Sequence, residues 1–186
     1  MLMCGPMPVL QCHPGSSCGA VREIAASALR RGGAVLDLRF VLHARIADLA
    51  FPQAAEPARS DGLWQHTCFE VFLLLPGRES YLEFNLAPSG QWAAYSFARP
   101  REGMAPLEAV RAIPIRTETA AEEFELAATI DLAGRADYAA ASLWQAGLSA
   151  VIEERSGRKS YWALAHPPGK PDFHHCDCFA LELPAA

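Results

Sequence analysis

The strictest pattern in the chain is an alternation over residues 34–42. Ala34, Leu36, Leu38, Phe40 and Leu42 fall on one face, with Asp37 and Arg39 on the other. A period of two marks a strand with one face buried. Similar runs, rich in β-branched and aromatic residues, recur at 64–75, 81–87, 92–97, 113–117, 124–130, 148–154, 161–166 and 179–183. The alanines of 21–31 favour a helix, but the neighbouring runs favour a strand, and a strand is expected there. Residues 133–142 suit a short helical turn. Turn chemistry separates the runs, at Pro14-Gly15, Gly32-Gly33, Pro76-Gly77, Pro88-Ser89-Gly90, Ser156-Gly157 and Pro167-Pro168-Gly169. Short strands punctuated in this way predict an all-β fold, an antiparallel two-sheet β-sandwich. No repeat or long linker divides the chain, so residues 1–186 are expected to form a single domain.

Register can be argued for three consecutive strands. Phe69, Val71 and Leu73 share one face of the first; Leu82, Phe84 and Leu86 share one face of the second. A slip of one residue turns a whole strand over, so matching these sets places Phe69 beside Leu86 and Val71 beside Phe84, with 76–79 as the hairpin loop. A tight hairpin at Pro88-Ser89 then places Ala93 beside Phe84 and Tyr95 beside Leu82. The opposite face carries Glu70, Asn85 and Trp92 side by side, with Glu83 and Tyr81 one step along and His66 toward the other end. An acid, an amide and an indole on one sheet face suit a sugar. The ring covers the C–H face of a pyranose, and the polar groups meet its hydroxyls. The same pattern also describes the solvated outside of an antiparallel sheet, with Trp92 covered by a loop.

Composition narrows the partners. The chain has 186 residues, of which 51% are hydrophobic, enough for a sizeable core. Its formal charge of −5 gives no electrostatic reason to bind nucleic acid or anionic lipid. No run approaches the roughly 18 apolar residues of a membrane span. The apolar start lacks Lys and Arg, is broken by Pro6 and Pro8, and has Cys4 too early to follow a signal segment. A cytoplasmic protein is expected, with its six cysteines as free thiols.

Reactive residues are present but weakly arranged. Glu70 and Glu83 lie diagonally on neighbouring strands in this register, with Cβ atoms roughly 7 Å apart. That spacing is compatible with an inverting glycosidase pair, but paired acids on a sheet also serve as sugar or calcium ligands. In an extended 174–178 segment, His174, Cys176 and Cys178 would point one way, and His175 and Asp177 the other. Zinc ligands are usually spaced by two to four residues and number four, so a further ligand such as Cys68, or Cys12, His13 and Cys18 near the start, would be needed. A loop is the simpler reading, and no metal site is assigned. No Gly-x-Ser-x-Gly elbow, dinucleotide fingerprint or phosphate loop occurs, and no catalytic residue is assigned. Trp144 and Trp162 are expected in the core, and His166 at a strand end.

Several strings resemble a known family. They are Asp61-Gly62-Leu63-Trp64-Gln65-His66-Thr67-Cys68-Phe69-Glu70, Tyr81-Leu82-Glu83-Phe84-Asn85 with Pro88-Ser89-Gly90, Trp92-Ala93-Ala94-Tyr95, Ser160 to Pro167, and Pro171-Asp172-Phe173-His174. From Asp61 to the C-terminus the chain resembles DOMON-like proteins related to carbohydrate-binding module family 9. The resemblance implies a β-sandwich that binds a sugar or haem. Sugar-binding members use aromatic stacking and polar side chains; haem-binding members use a Met and a His as axial ligands. Here Met104 with His66 or His166 is conceivable, although no motif carries an axial pair over. Three functions stay open: a non-catalytic module holding a small carbohydrate on the face of His66, Glu70, Glu83, Asn85 and Trp92; a haem-binding, redox-type module; and a protein-interaction scaffold.

Overall fold

The structure, a computed structural model, describes residues 7–17 and 19–185. Its strands, in chain order, are β1 (Gln11–Cys12), β2 (Val21–Arg31), β3 (Val35–Ala44), β4 (Cys68–Leu74), β5 (Tyr81–Leu86), β6 (Trp92–Phe97), β7 (Ala105–Pro106), β8 (Ile115–Thr119), β9 (Glu123–Asp131), β10 (Leu143–Glu153), β11 (Lys159–Ala163) and β12 (Leu181–Pro184). A short helix, α1 (Ala136–Ala140), precedes β10 in the segment expected to hold a helical turn. The strands form two sheets. The smaller runs β2-β3-β9-β8; the larger runs β1-β11-β10-β4-β5-β6-β7, with β12 also paired to β10. Every ladder is antiparallel. This is the two-sheet sandwich that the alternation predicts.

The core between the sheets follows from that alternation. Leu36, Leu38, Phe40 and Leu42 on β3 are buried, as are Phe124, Leu126 and Ile130 on β9. From the large sheet they meet Phe69, Val71, Leu73, Leu82, Phe84 and Leu86, the set expected to be buried together. Phe69 joins the layers, 5.1 Å from Phe40 and stacked on Phe124 at 5.8 Å. Each such side chain contributes about 1.5–3 kcal/mol through burial. Trp144 is in this core as expected, its indole N–H donating to the Tyr138 carbonyl at 2.9 Å.

The large sheet is buried on both faces. Phe72, Tyr81, Tyr95, Phe97, Phe173 and Phe179 form a second cluster on its outer face, around Ala93 and Ala163. Two of these rings come from the segment 164–180, between β11 and β12. Both of those strands pair with β10 on the side away from β4. The segment therefore leaves and rejoins one strand edge, and in between it covers the outer face.

Strand bounds differ from the sequence reading, most at two elements. Residues 64–67 are not strand. Gly62 (φ 75°) opens a 3-10 turn over Leu63–Gln65, and β4 starts only at Cys68. β10 begins at Leu143, earlier than expected, because Gly147 interrupts its apolar run. Glycine is required there: a Cβ would lie 2.9 Å from the Cys178 carbonyl oxygen.

The register of β4 on β5 is the one deduced, with Phe69 beside Leu86 and Val71 beside Phe84. That of β5 on β6 is shifted by one. Leu86 faces Trp92, Asn85 faces Ala93, and Glu83 faces Tyr95. The hairpin closes with the Ala87 N–H donating to the Gln91 carbonyl at 2.9 Å, so Pro88, Ser89 and Gly90 all lie in the loop. Gly90 has φ 90°, the left-handed position that a three-residue hairpin needs at its end. One extra loop residue reverses the parity of β6. Trp92 therefore points into the inter-sheet core, only 4% exposed, with the Arg59 guanidinium 4.7 Å from its ring centre. Its assignment to the same face as Glu70 is overturned, and Tyr95 takes that face instead.

Candidate functional site

The outer face of the large sheet reads as a lattice. Ala163, Ser149, Glu70, Asn85 and Ala93 stand in register across β11, β10, β4, β5 and β6. The next row is Gly147, Phe72, Glu83 and Tyr95. Small residues at Ala163, Ser149, Ala93 and Gly147 lower the surface around the two acids. Above them lies a cavity of about 510 Å³. Glu70, Glu83 and Val151 form its floor, and Phe97 and Tyr161 rise from the flanking strands. Trp64, Arg101, Met104, Pro171, Phe173 and His174 enclose it from the loops.

Glu70 is 3% exposed, and one of its carboxylate oxygens has no hydrogen-bond partner; the same holds for the hydroxyl of its neighbour Ser149. Burial pushes the Glu70 carboxyl well above the usual carboxylate range, and the charge of Glu83 adds to the rise. Burial also raises Glu83, opposed by an N–H from Asn85 at 2.7 Å and by the Arg101 charge. Asn85 is fully buried beside them. Below it, desolvation and the charge of Glu70 keep the Cys68 thiol protonated, and its Sγ lies 3.8 Å from the Asn85 Oδ1. The unpartnered Glu70 oxygen can accept from a hydroxyl or ammonium donor, which would relieve the cost of a buried polar atom without a partner.

One wall is braced by a hydrogen-bonded relay. The Arg101 backbone N–H donates to the Tyr81 hydroxyl at 3.1 Å, and that hydroxyl is 2.6 Å from the His174 Nδ1. The His174 Nε2 lies 3.9 Å from Glu83. Burial, then the nearby Arg101 charge, bring His174 down to about 4, so it is neutral at pH 7. The Tyr81 hydroxyl therefore donates to Nδ1 and leaves the Nε2–H toward Glu83. Arg101 has φ 61°, a left-handed conformation that is uncommon for a side chain of this size. Its guanidinium holds the Asp172 Oδ1 at 2.8 Å, tying this loop to segment 164–180.

Trp64 supplies the exposed aromatic plane, 38% accessible and edge-on to Tyr95 at 6.0 Å. The Tyr95 hydroxyl donates to Asp61 at 2.6 Å and anchors the turn that carries Trp64. Met104 is also exposed at the rim.

Of the residues singled out from sequence, Glu70, Glu83 and Asn85 are brought together. Trp92 is excluded by the β5–β6 register. His66 stands apart from the cavity, exposed, with its Nδ1 2.8 Å from Glu153. The Asp61-Gly62 turn could have flagged Trp64 as a loop residue; little in the pattern marks Arg101 or Met104. The 174–178 segment is not extended, because Cys176–Cys178 form a 3-10 turn. His174 joins the cavity, and Cys178 is buried with its thiol donating to the Asp172 carbonyl. The ligand atoms of His175, Cys176 and Asp177 lie within 4.8 Å of one another on the exposed side. Cys12 ends β1 and His13 is buried against His166 at 5.0 Å, while Cys4, Pro6 and Cys18 lie outside the described residues. Met104 lines the cavity, and neither histidine considered for a haem pair does. His66 is engaged by Glu153, and the His166 Nε2 lies 2.8 Å from the Gln11 carbonyl oxygen. Met104 does share the cavity with His174, but the nitrogens of that ring face Tyr81 and Glu83, and two buried acids face the same space. These residues do not fit a haem, whose propionates add negative charge.

No protein-family model and no curated protein matches this sequence. Solved structures do. A proposed carbohydrate-binding protein from Bacteroides uniformis is 16% identical, with a TM-score of 0.62 over 97% of this chain and 85% of the other. A family 9 carbohydrate-binding module from Caldicellulosiruptor kristjanssonii, in complex with glucose, is 10% identical, with a TM-score of 0.54 over 95% of this chain and 84% of the other. The same kind of module in complex with cellotriose gives 10%, 0.53, 96% and 81%. At these identities the likeness establishes the fold: this chain has the β-sandwich architecture of carbohydrate-binding modules.

Proposed function

We propose that the protein is a non-catalytic, DOMON-like module that holds a small carbohydrate in the cavity on the outer face of its large sheet. The observation that carries this reading is the cavity itself. Buried Glu70 and Glu83 lie at its floor, and the rings of Trp64, Phe97, Tyr161 and Phe173 surround them. Rings cover the C–H faces of a sugar and carboxylates accept its hydroxyls. A cavity of about 510 Å³ is the size of a small-ligand site. The shared architecture with modules crystallised with glucose and cellotriose supports the same reading. Among the described residues, no helix is long and apolar enough to cross a membrane. Free thiols at Cys12, Cys68, Cys176 and Cys178 accord with our proposal that the protein is cytoplasmic.

Titration calorimetry with mono- and disaccharides tests the proposal. Saturable binding to the full chain that is weakened in Trp64→Ala is the expected result. No heat with any sugar, or Trp64→Ala binding as tightly as the parent, overturns it. Turnover of a chromogenic glycoside that disappears in both Glu70→Gln and Glu83→Gln overturns the non-catalytic part.

A further inference from the structure

The cavity holds more acid than a neutral sugar requires. Glu70 and Glu83 are 3% and 5% exposed, and both face the same space. The groups around them come from every packed element. β10 supplies Ser149, β4 Cys68, β5 Tyr81 and Asn85, and β6 Tyr95. The loop after β6 supplies Arg101, and segment 164–180 supplies Asp172 and His174. Among the described residues lining the cavity there is no lysine, and Arg101 is the one guanidinium. Its Nε and Nη2 both point to the Asp172 Oδ1, at 3.2 and 2.8 Å. Asn85 serves Glu83, and one Glu70 oxygen is left with nothing.

The Arg101 charge reaches Glu83 but is tied to Asp172, and the unpartnered Glu70 oxygen is a buried polar atom that stays costly unless a ligand completes it. The rest of the lining says what kind of ligand. The faces of Trp64, Tyr161, Phe97 and Phe173 attract organic cations through their ring quadrupoles. Calcium fits poorly, since it takes six to eight oxygens and the rim here is aromatic and thioether. We propose that the cavity selects an amine-bearing ligand and, resting on the carbohydrate reading above, that this ligand is an amino sugar whose free ammonium group sits between Glu70 and Glu83.

The placement has a proton signature. Without ligand, burial and then the Glu83 charge favour the protonated form of Glu70. An ammonium group seated beside it favours the carboxylate, so binding releases a proton. Affinity rises with pH until the amine itself loses its charge.

The test is calorimetric titration of the full chain with three disaccharides: the β-1,4-linked glucosamine dimer, its N-acetylated counterpart, and cellobiose. They share a ring framework and differ only in the C2 substituent of each ring. The amine is expected to bind about tenfold more tightly than either neutral sugar, the margin between a charge-assisted and a neutral hydrogen bond. Titrations in two buffers of different ionisation enthalpy should report net proton release for the amine alone. Glu70→Gln should erase the preference. The parent-protein comparison decides the matter even where that variant folds poorly. If cellobiose or the acetylated sugar binds as tightly as the amine, the proposal falls and the carbohydrate reading stands. If none of the three binds, the proposal falls, and the carbohydrate reading falls with it when the wider mono- and disaccharide titrations are silent too.

Discussion

The side-chain N–H of Asn85 donates to Glu83 at 2.7 Å, while Asn85 itself stands directly across the β4–β5 ladder from Glu70. One amide thus touches one acid of the cavity floor and abuts the other. It is the neutral donor that makes a buried carboxylate tolerable at Glu83.

Asn85→Ala should therefore destabilise the protein by about 1–3 kcal/mol, the usual loss when a buried polar group is left without its partner. Asn85→Asp should do worse, because it adds a third acid to the same patch. Urea unfolding midpoints measure both, and a midpoint unchanged in Asn85→Ala would remove the amide from this role.

The two tryptophans nearest the site should behave in opposite ways. Trp92 lies in the inter-sheet core under Arg59. Trp92→Ala should cost about 3–5 kcal/mol of stability, as large core truncations do. Trp64 sits on an exposed turn. Trp64→Ala should leave the melting temperature nearly unchanged while ligand binding loses about 0.5–1.5 kcal/mol of stacking beyond the lost burial.

Stability should fall as pH rises above the usual glutamate range. Glu70 in the fold titrates well above its unfolded value, first from burial and then from the Glu83 charge. The native state holds a proton that the unfolded chain gives up earlier, so stability declines from the usual glutamate range up to the raised Glu70 value. His174 acts on the other side. Its folded value of about 4 lies below the ordinary imidazole value, so its stabilising effect is lost as pH falls toward 4. Melting curves of Glu70→Gln across pH should be flatter above the usual glutamate range than those of the parent. Parallel curves would contradict this.

Gly90 carries the turn that sets the β6 face. At φ 90° an L side chain is strained, so Gly90→Ala should destabilise by about 1 kcal/mol or more. Gly77, also at positive φ, sits in the loop between β4 and β5. Gly77→Ala tests whether the penalty is general to turns. Denaturant midpoints read both, and no loss at Gly90 would mean that the hairpin adopts another geometry.

These residues also explain what the sequence makes legible. Alternation on β3 and the apolar sets of β4 and β5 determine the sandwich and one correct ladder, because a slip there would expose Phe69 and Phe84. β6 is different. Ala93, Ala94 and Tyr95 are apolar on both faces, so its pattern does not distinguish the two registers. Only the loop length does. The deduced acid pair and Asn85 survive because they lie on strands whose parity is fixed. The aromatic partner moves from Trp92 to Trp64 because parity failed at one turn. Arg101, Phe173 and His174 reach the cavity from loops, and their approach is set by tertiary packing that no local period encodes.

The return of segment 164–180 to the edge it left separates two kinds of change. The acids of the floor are written into strands, where any shift in length would disturb ladders on both sides. The wall of Pro171, Phe173 and His174 hangs between β11 and β12, both already moored to β10. That stretch takes part in no ladder, so the cavity wall is set independently of strand order, while Phe173, Phe179 and the Cys178 carbonyl against Gly147 keep it seated on the sheet.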